Sequence, residues 1–209
     1  MRFNRLITTI LLTICATSVH AGLVVSDIQM DIVHAKYNYT HGVNHHSHNM
    51  GHALDVMNNA HSRCSVSLTE IDMVRPCGLK RNYGQKIDIS LSSNKDVYIE
   101  VGTDWGRGGL FALNGDYTNV LGDTWWARRW NHGDVIDIAI DAGFNGVLSL
   151  IGFEGCCGGQ TSVRYSYDNK NWQTLAVSVP EPGTLTLMAI GMVGLVALRR
   201  RSATGARSA

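Results

Sequence analysis

Asp134-Val135-Ile136-Asp137-Ile138-Ala139-Ile140-Asp141 alternates polar and apolar side chains. A period of two places successive side chains on opposite faces of an extended strand, one face wet and one dry. Lys86-Ile87-Asp88-Ile89-Ser90-Leu91 and Asp96-Val97-Tyr98-Ile99-Glu100-Val101 repeat the pattern upstream. Downstream, residues 147–153 are more continuously apolar, as a central strand buried on both faces requires, and 162–167 and 172–177 complete a predicted meander. The breaks carry turn chemistry: Ser93-Asn94, Asn114-Gly115, Asn131-His132-Gly133, Asn145-Gly146 and Asp168-Asn169. Short strands with such turns predict a mainly β fold, a β-sandwich of jelly-roll type spanning 84–178.

Residues 22–83 read as a less regular, His-rich part of the same ectodomain. The weaker patterns there predict strands over 24–33 and 64–71, and either a long loop or a helix over 51–60. No internal repeat is present. A chain of 209 residues accommodates one domain or two. With 17% charged residues and a net charge of +1 it lacks the clustered positive charge that nucleic acid demands.

The two ends carry an address. Arg2 and Arg5 precede a mainly apolar stretch over 6–19, and Val19-His20-Ala21 suits signal peptidase, so residues 1–21 read as a cleavable secretory signal. Ile14 before Cys15 is too large for a lipobox. At the other end Val179-Pro180-Glu181-Pro182-Gly183 leads into an apolar run over 184–198, closed by Arg199, Arg200 and Arg201. The prolines favour an extended, enzyme-accessible segment. The run amounts to about 22 Å of helix, short for a full span, and its arginines favour the cytoplasmic side. A polar tail over 202–209 follows.

This order of Pro-Glu-Pro box, short span and arginine cluster resembles the PEP-CTERM sorting signal of Gram-negative bacteria over 179–201. The resemblance implies a short transmembrane sorting helix, processing by a membrane-embedded exosortase, and association with exopolysaccharide and biofilm. A second resemblance lies between the ends. Val101-Gly102-Thr103-Asp104-Trp105-Gly106, Leu110-Phe111-Ala112-Leu113-Asn114-Gly115 and Trp125-Trp126 look like part of a galactose-binding-like, or protective-antigen-type, sandwich. Ile151-Gly152-Phe153-Glu154-Gly155-Cys156-Cys157-Gly158-Gly159 looks like the CCxG segment of a group of PEP-CTERM proteins. Protective-antigen-type lectins hold calcium with adjacent aspartates, whereas Thr103-Asp104 stands here, so the resemblance does not extend to calcium.

Removal of Cys15 with the signal leaves Cys64, Cys77, Cys156 and Cys157, an even set suited to disulfides in an exported chain. Three connectivities exist. Neighbouring Cα atoms sit about 3.8 Å apart, below the usual disulfide span of roughly 4.4–6.8 Å. That geometry favours bridges from Cys64 and Cys77 to the Cys156-Cys157 segment over a local pairing of each.

Three groups of side chains are candidate sites. Trp105, Trp125, Trp126 and Trp130, with Asp104, have the chemistry of a sugar surface: indole faces cover sugar C–H patches while carboxylates meet hydroxyls. The opposing expectation divides these tryptophans between a sandwich core and an exposed remainder, with Trp125 and Trp126 on opposite sides of a strand. His45, His46, His48 and His52 are candidate ligands for a transition metal, within a segment that otherwise reads as a solvated loop. Asp104, Asp116, Asp123, Asp134 and Glu154 supply carboxylates, but no catalytic motif accompanies them, so no catalytic residue and no cofactor is expected.

The reading that unites these signals is a non-enzymatic exported protein. Signal peptidase and exosortase act on it at the inner membrane, and it reaches the cell surface or matrix, where its sandwich binds exopolysaccharide. The alternatives are a disulfide-stabilised structural or interaction module without a small ligand, and a secreted glycosidase or metal-dependent hydrolase.

Overall fold

A computed structural model describes residues 22–35, 50–75, 77–78, 81–121, 123–155 and 159–178. Every described strand pairing is antiparallel, and the described strands form two sheets. In chain order they are β1 (Leu23–His34), β2 (Ser62–Ser67), β3 (Tyr83–Ser93), β4 (Val97–Trp105), β5 (Gly109–Leu113), β6 (Asp116–Leu121), β7 (Thr124–Trp125), β8 (Ile136–Ile140), β9 (Asn145–Glu154), β10 (Thr161–Ser166) and β11 (Gln173–Thr174), with one helix, α1 (Met50–Asn59), between β1 and β2. Sheet one runs β2-β1-β3-β9-β5-β6. Sheet two runs β11-β10-β4, and the far edge of β4 is shared by β8 along its first half and β7 at its end. The order interleaves distant strands, so the expected meander is replaced by crossovers between the sheets.

Alternation builds the core. Ile87, Ile89 and Leu91 of β3, Leu148 and Leu150 of β9, Ile99, Val101 and Trp105 of β4, and Ile136, Ile138 and Ile140 of β8 belong to one buried cluster. Burying each such aliphatic side chain stabilises the fold by about 1.5–3 kcal/mol. In β1 the period breaks and recovers. The register shifts between Val25 and Asp27, leaving Ser26 as the extra residue of a bulge, and Leu23, Val25, Ile28, Met30 and Ile32 all reach the core.

The sandwich therefore begins at β1 rather than at residue 84. The segment expected to be less regular, with weak strands over 24–33 and 64–71, supplies β1, which lies between β2 and β3, and the edge strand β2. It also supplies α1, one residue ahead of the 51–60 window in which a helix is the alternative to a loop. With neither acidic residues in its first turn nor basic ones in its last, this short helix depends on packing. Met57 joins Val33, Leu110, Ile151 and Phe153 in a second cluster on the outer face of sheet one. Gly84 permits the close approach, since a Cβ there would press on Met57 Sδ at 2.6 Å.

Cys64 is bridged to Cys77, with Cα atoms 6.4 Å apart, within the ordinary disulfide span. This overturns the favoured cross-links to Cys156 and Cys157, which lie outside the described residues. The physical reason is the path of the chain. After β2 it crosses to sheet two, where Ile71 N donates to Leu175 O and Val74 exchanges both backbone bonds with Thr161. The bridge staples the two ends of that excursion.

Asn114-Gly115 makes the predicted hairpin turn between β5 and β6, with φ of 52° and 85°. Asn145-Gly146 is not a turn but the start of β9. Asn114 Oδ1 accepts from Val147 N at 2.8 Å, and its side chain fills the space a Cβ on Gly146 would need. The glycine admits that side chain, and the reversal falls earlier, at Gly143 (φ 90°).

The chain divides after Val177 into two units, and the first holds all of these elements.

Candidate functional site

Odd-numbered residues of β4 enter the core, so Tyr98, Glu100, Gly102 and Asp104 face outward from sheet two. Residues in antiparallel register share a face. Arg164 stands opposite Glu100 from β10, Asp137 opposite Glu100 from β8, and Trp125 opposite Asp104 from β7. This outer face collects most of the predicted aromatic site.

The four predicted tryptophans separate. Trp105 is 1% exposed and lies in the core, donating from Nε1 to Gln85 Oε1 at 3.3 Å. It packs where side chains at Gly109 and Gly152 would stand. That placement removes it from any sugar surface, because its parity on β4 is inward. Trp126 is 3% exposed and lies flat against Gly102, whose missing side chain makes the room. Trp125 is 60% exposed. The two neighbours differ in exposure rather than in side: Trp125 pairs with Asp104 and Trp126 covers Gly102, both on the outer face, because β7 ends at Trp125 and the strand alternation stops there.

Trp126 begins an array across the face. Its ring centroid is 4.7 Å from that of Trp130. The Arg164 guanidinium lies 4.3 Å from the Trp130 ring and 4.4 Å from the Trp172 ring, and Glu100 accepts from Arg164 through Nε and pairs with its terminal nitrogen. Each cation–π contact is worth about 0.5–2 kcal/mol. Asp168 anchors the loop that carries Trp172: it accepts from the backbone N–H groups of Asn171 and Lys170 and from the hydroxyl of Ser166. Those bonds, led by the Asn171 backbone, hold its carboxyl well below the usual range. Glu100, Arg164 and Trp172 were missed in the sequence. Their signal was the outward parity of Glu100 and Arg164, which becomes legible only once β4 and β10 are paired.

The Trp125 loop is tightly stitched. Trp125 N donates to Asp134 Oδ2 at 2.9 Å, and His132 lies beside that carboxylate (3.6 Å) and edge-on to the Trp125 ring. Arg129 N donates to Trp126 O at 2.8 Å, closing a turn whose central residues, Ala127 and Arg128, have φ of 51° and 58°. Positive φ at both positions is type I′ geometry, which normally selects Gly or Asn. An alanine and an arginine there cost about 1–2 kcal/mol each.

Behind Trp125 the site turns acidic. Burial, then the charges of Glu154 and Asp123, raise the Asp104 carboxyl. Glu154 is itself buried and accepts from the N–H groups of Gly106 and Gly155. Burial, reinforced by Glu154, likewise raises the Tyr83 phenol. Asp116 lies at the start of β6, at the hairpin turn. Among the described residues no group of three or more His, Cys, Asp or Glu side chains is arranged to hold a metal ion. His45, His46 and His48 lie outside the described residues, as does the side chain of His52.

Residues 178–201 match the family model of the PEP-CTERM protein-sorting motif. The motif marks an exported protein with a membrane-anchored sorting tail. Among the described residues no helix is long and apolar enough to cross a membrane, and the apolar run over 184–198 lies outside them. No curated protein matches the chain. Among solved structures it is similar to a PA14 sugar-binding domain from an RTX adhesin, at 8% identity and a TM-score of 0.47, over 74% of this chain and 99% of that one. It is also similar to the A domain of epithelial adhesin 9 from Candida glabrata in complex with Galb1-3GlcNAc, at 9% identity and a TM-score of 0.48, over 79% of this chain and 94% of that one. A PA14 domain of the MpAFP antifreeze protein is similar at 9% identity and a TM-score of 0.45, over 77% of this chain and 91% of that one. The sugars named there belong to those proteins.

Proposed function

We propose that this is a non-enzymatic matrix protein of a Gram-negative bacterium that binds exopolysaccharide through the Trp125 and Asp104 surface of sheet two. Signal peptidase releases residues 1–21, exosortase processes the tail at the inner membrane, and the sandwich is delivered to the cell surface or the matrix. One observation carries the binding reading: Trp125 presents a 60% exposed indole directly across the strand pair from the carboxylate of Asp104. An exposed ring beside a hydroxyl acceptor matches the two faces of a pyranose. Affinity electrophoresis in gels containing the producer's exopolysaccharide tests this. Trp125→Ala is expected to abolish retardation of the chain while leaving its thermal unfolding unchanged. Equal retardation of the variant would refute the assignment.

A structural module is the second reading, favoured by the array of Trp126, Trp130, Arg164 and Trp172, which is held by its own packing and by Glu100. On that reading Arg164→Ala destabilises the protein and no soluble glycan binds.

A further inference from the structure

The arginines of the Trp125 loop are not accounted for by stability. Arg128 and Arg129 are exposed, and neither side chain has an ion-pair, hydrogen-bond or ring partner among the described residues, in contrast to Arg164, which has all three. Arg128 also occupies a left-handed position that glycine would fill without strain. The acid within the same loop, Asp134, is engaged by Trp125 N and His132, so it does not neutralise them. Successive backbone bonds from Arg129 N to Trp126 O, His132 N to Arg129 O and Val135 N to His132 O hold the loop in one shape. The backbone that carries two arginines without a side-chain partner among the described residues is thereby held within four residues of an exposed indole.

Building on the binding surface proposed above, we infer that the polysaccharide recognised by this face is anionic, with its carboxylate or sulfate groups held by Arg128 and Arg129 while a sugar ring lies on Trp125. A planar guanidinium matches both oxyanions in bidentate fashion. The chain's net charge of only +1 makes this a local recognition rather than a general attraction for polyanions.

The test uses the full-length chain in mild detergent with two matched pairs, polygalacturonate against its carboxyl-reduced form and dextran sulfate against dextran, with single-stranded DNA as a polyanion of another class. At least about tenfold tighter binding to the charged member of one pair, weakened by salt, is expected. The pair that shows it separates carboxylate from sulfate recognition. Arg128→Gly combined with Arg129→Gln is expected to erase that preference and to leave neutral-polymer binding, still sensitive to Trp125→Ala. Equal binding of charged and neutral members, with Trp125 still required, overturns the anionic inference and leaves the binding surface standing. Binding of no polymer, or binding indifferent to Trp125→Ala, overturns the surface itself. Single-stranded DNA bound as tightly as the charged polymer overturns polysaccharide recognition. Arg128→Gly alone should stabilise the fold, showing that loss of preference is not loss of structure.

Discussion

Trp105 and Trp125 share a residue type and opposite fates, and substituting each with alanine separates core from surface. Trp105 fills a space bounded by Gly109 and Gly152 and is 1% exposed. Removing its indole takes roughly 150 Å² of buried surface out of the core, about 4 kcal/mol at 25 cal/mol per Å². That agrees with the range of about 3–5 kcal/mol for large aromatic truncations. Gln85 Oε1 loses the indole donor but keeps the Thr161 hydroxyl, so the polar term adds only about 0.5–1 kcal/mol. Urea unfolding followed by far-UV circular dichroism should show the midpoint of Trp105→Ala falling by about 2 M, taking a slope near 2 kcal/mol per M. Trp125→Ala should stay within about 0.5 kcal/mol of the parent. Gly152→Ala should be destabilising alone and less so in the Trp105→Ala background, where the clash is gone. A Trp105→Ala variant within about 1 kcal/mol of the parent, or additive behaviour of the pair, would refute the packing argument.

Cys64→Ser together with Cys77→Ser opens a loop of sequence separation 13 and should cost about 3 kcal/mol, read in the same unfolding experiment. Gly102→Ala drives a methyl into Trp126; a loss of about 1–3 kcal/mol is expected, together with a changed near-UV spectrum as the contact between Trp126 and Trp130 is disturbed. Asp104 has a raised carboxyl pKa, so the folded state holds its proton more tightly than the unfolded chain does, and stability falls as pH rises through the shifted value. Asp104→Asn should therefore raise the melting temperature at pH 7, with the gain vanishing near pH 3, where the native carboxyl is also protonated. An equal gain at both pH values would contradict that origin.

The strands with an unbroken period of two, β3, β4 and β8, were legible in the sequence, and so was the continuously apolar β9. β1 was faint because the bulge at Ser26 changes the phase of its apolar residues. β5 and β6 are short and joined by a two-residue turn, which leaves too few positions for a period to show. Parity along β4 sends Trp105 inward with Val97, Ile99 and Val101, which fits the expectation that the tryptophans divide between core and surface. The clamp of Glu100, Arg164 and Trp172 depends on which strand lies beside which, a matter of long-range pairing that no local pattern encodes. The Cys64–Cys77 bridge depends likewise on the excursion of residues 69–75 to the other sheet.

The interleaving of strands also sets a timetable. A chain made from its N-terminus presents β1 first, yet β1 is paired by β3, β3 by β9, and β4 by β10. Leu175, among the last described residues, is fully buried in the core and bonded to Val163 and Ile71. No early fragment can close its own apolar faces, and topologies of such long-range pairing fold slowly. During export this chain is a collection of open strand edges until Leu175 arrives, and the sorting motif that begins at residue 178 follows within three residues of it.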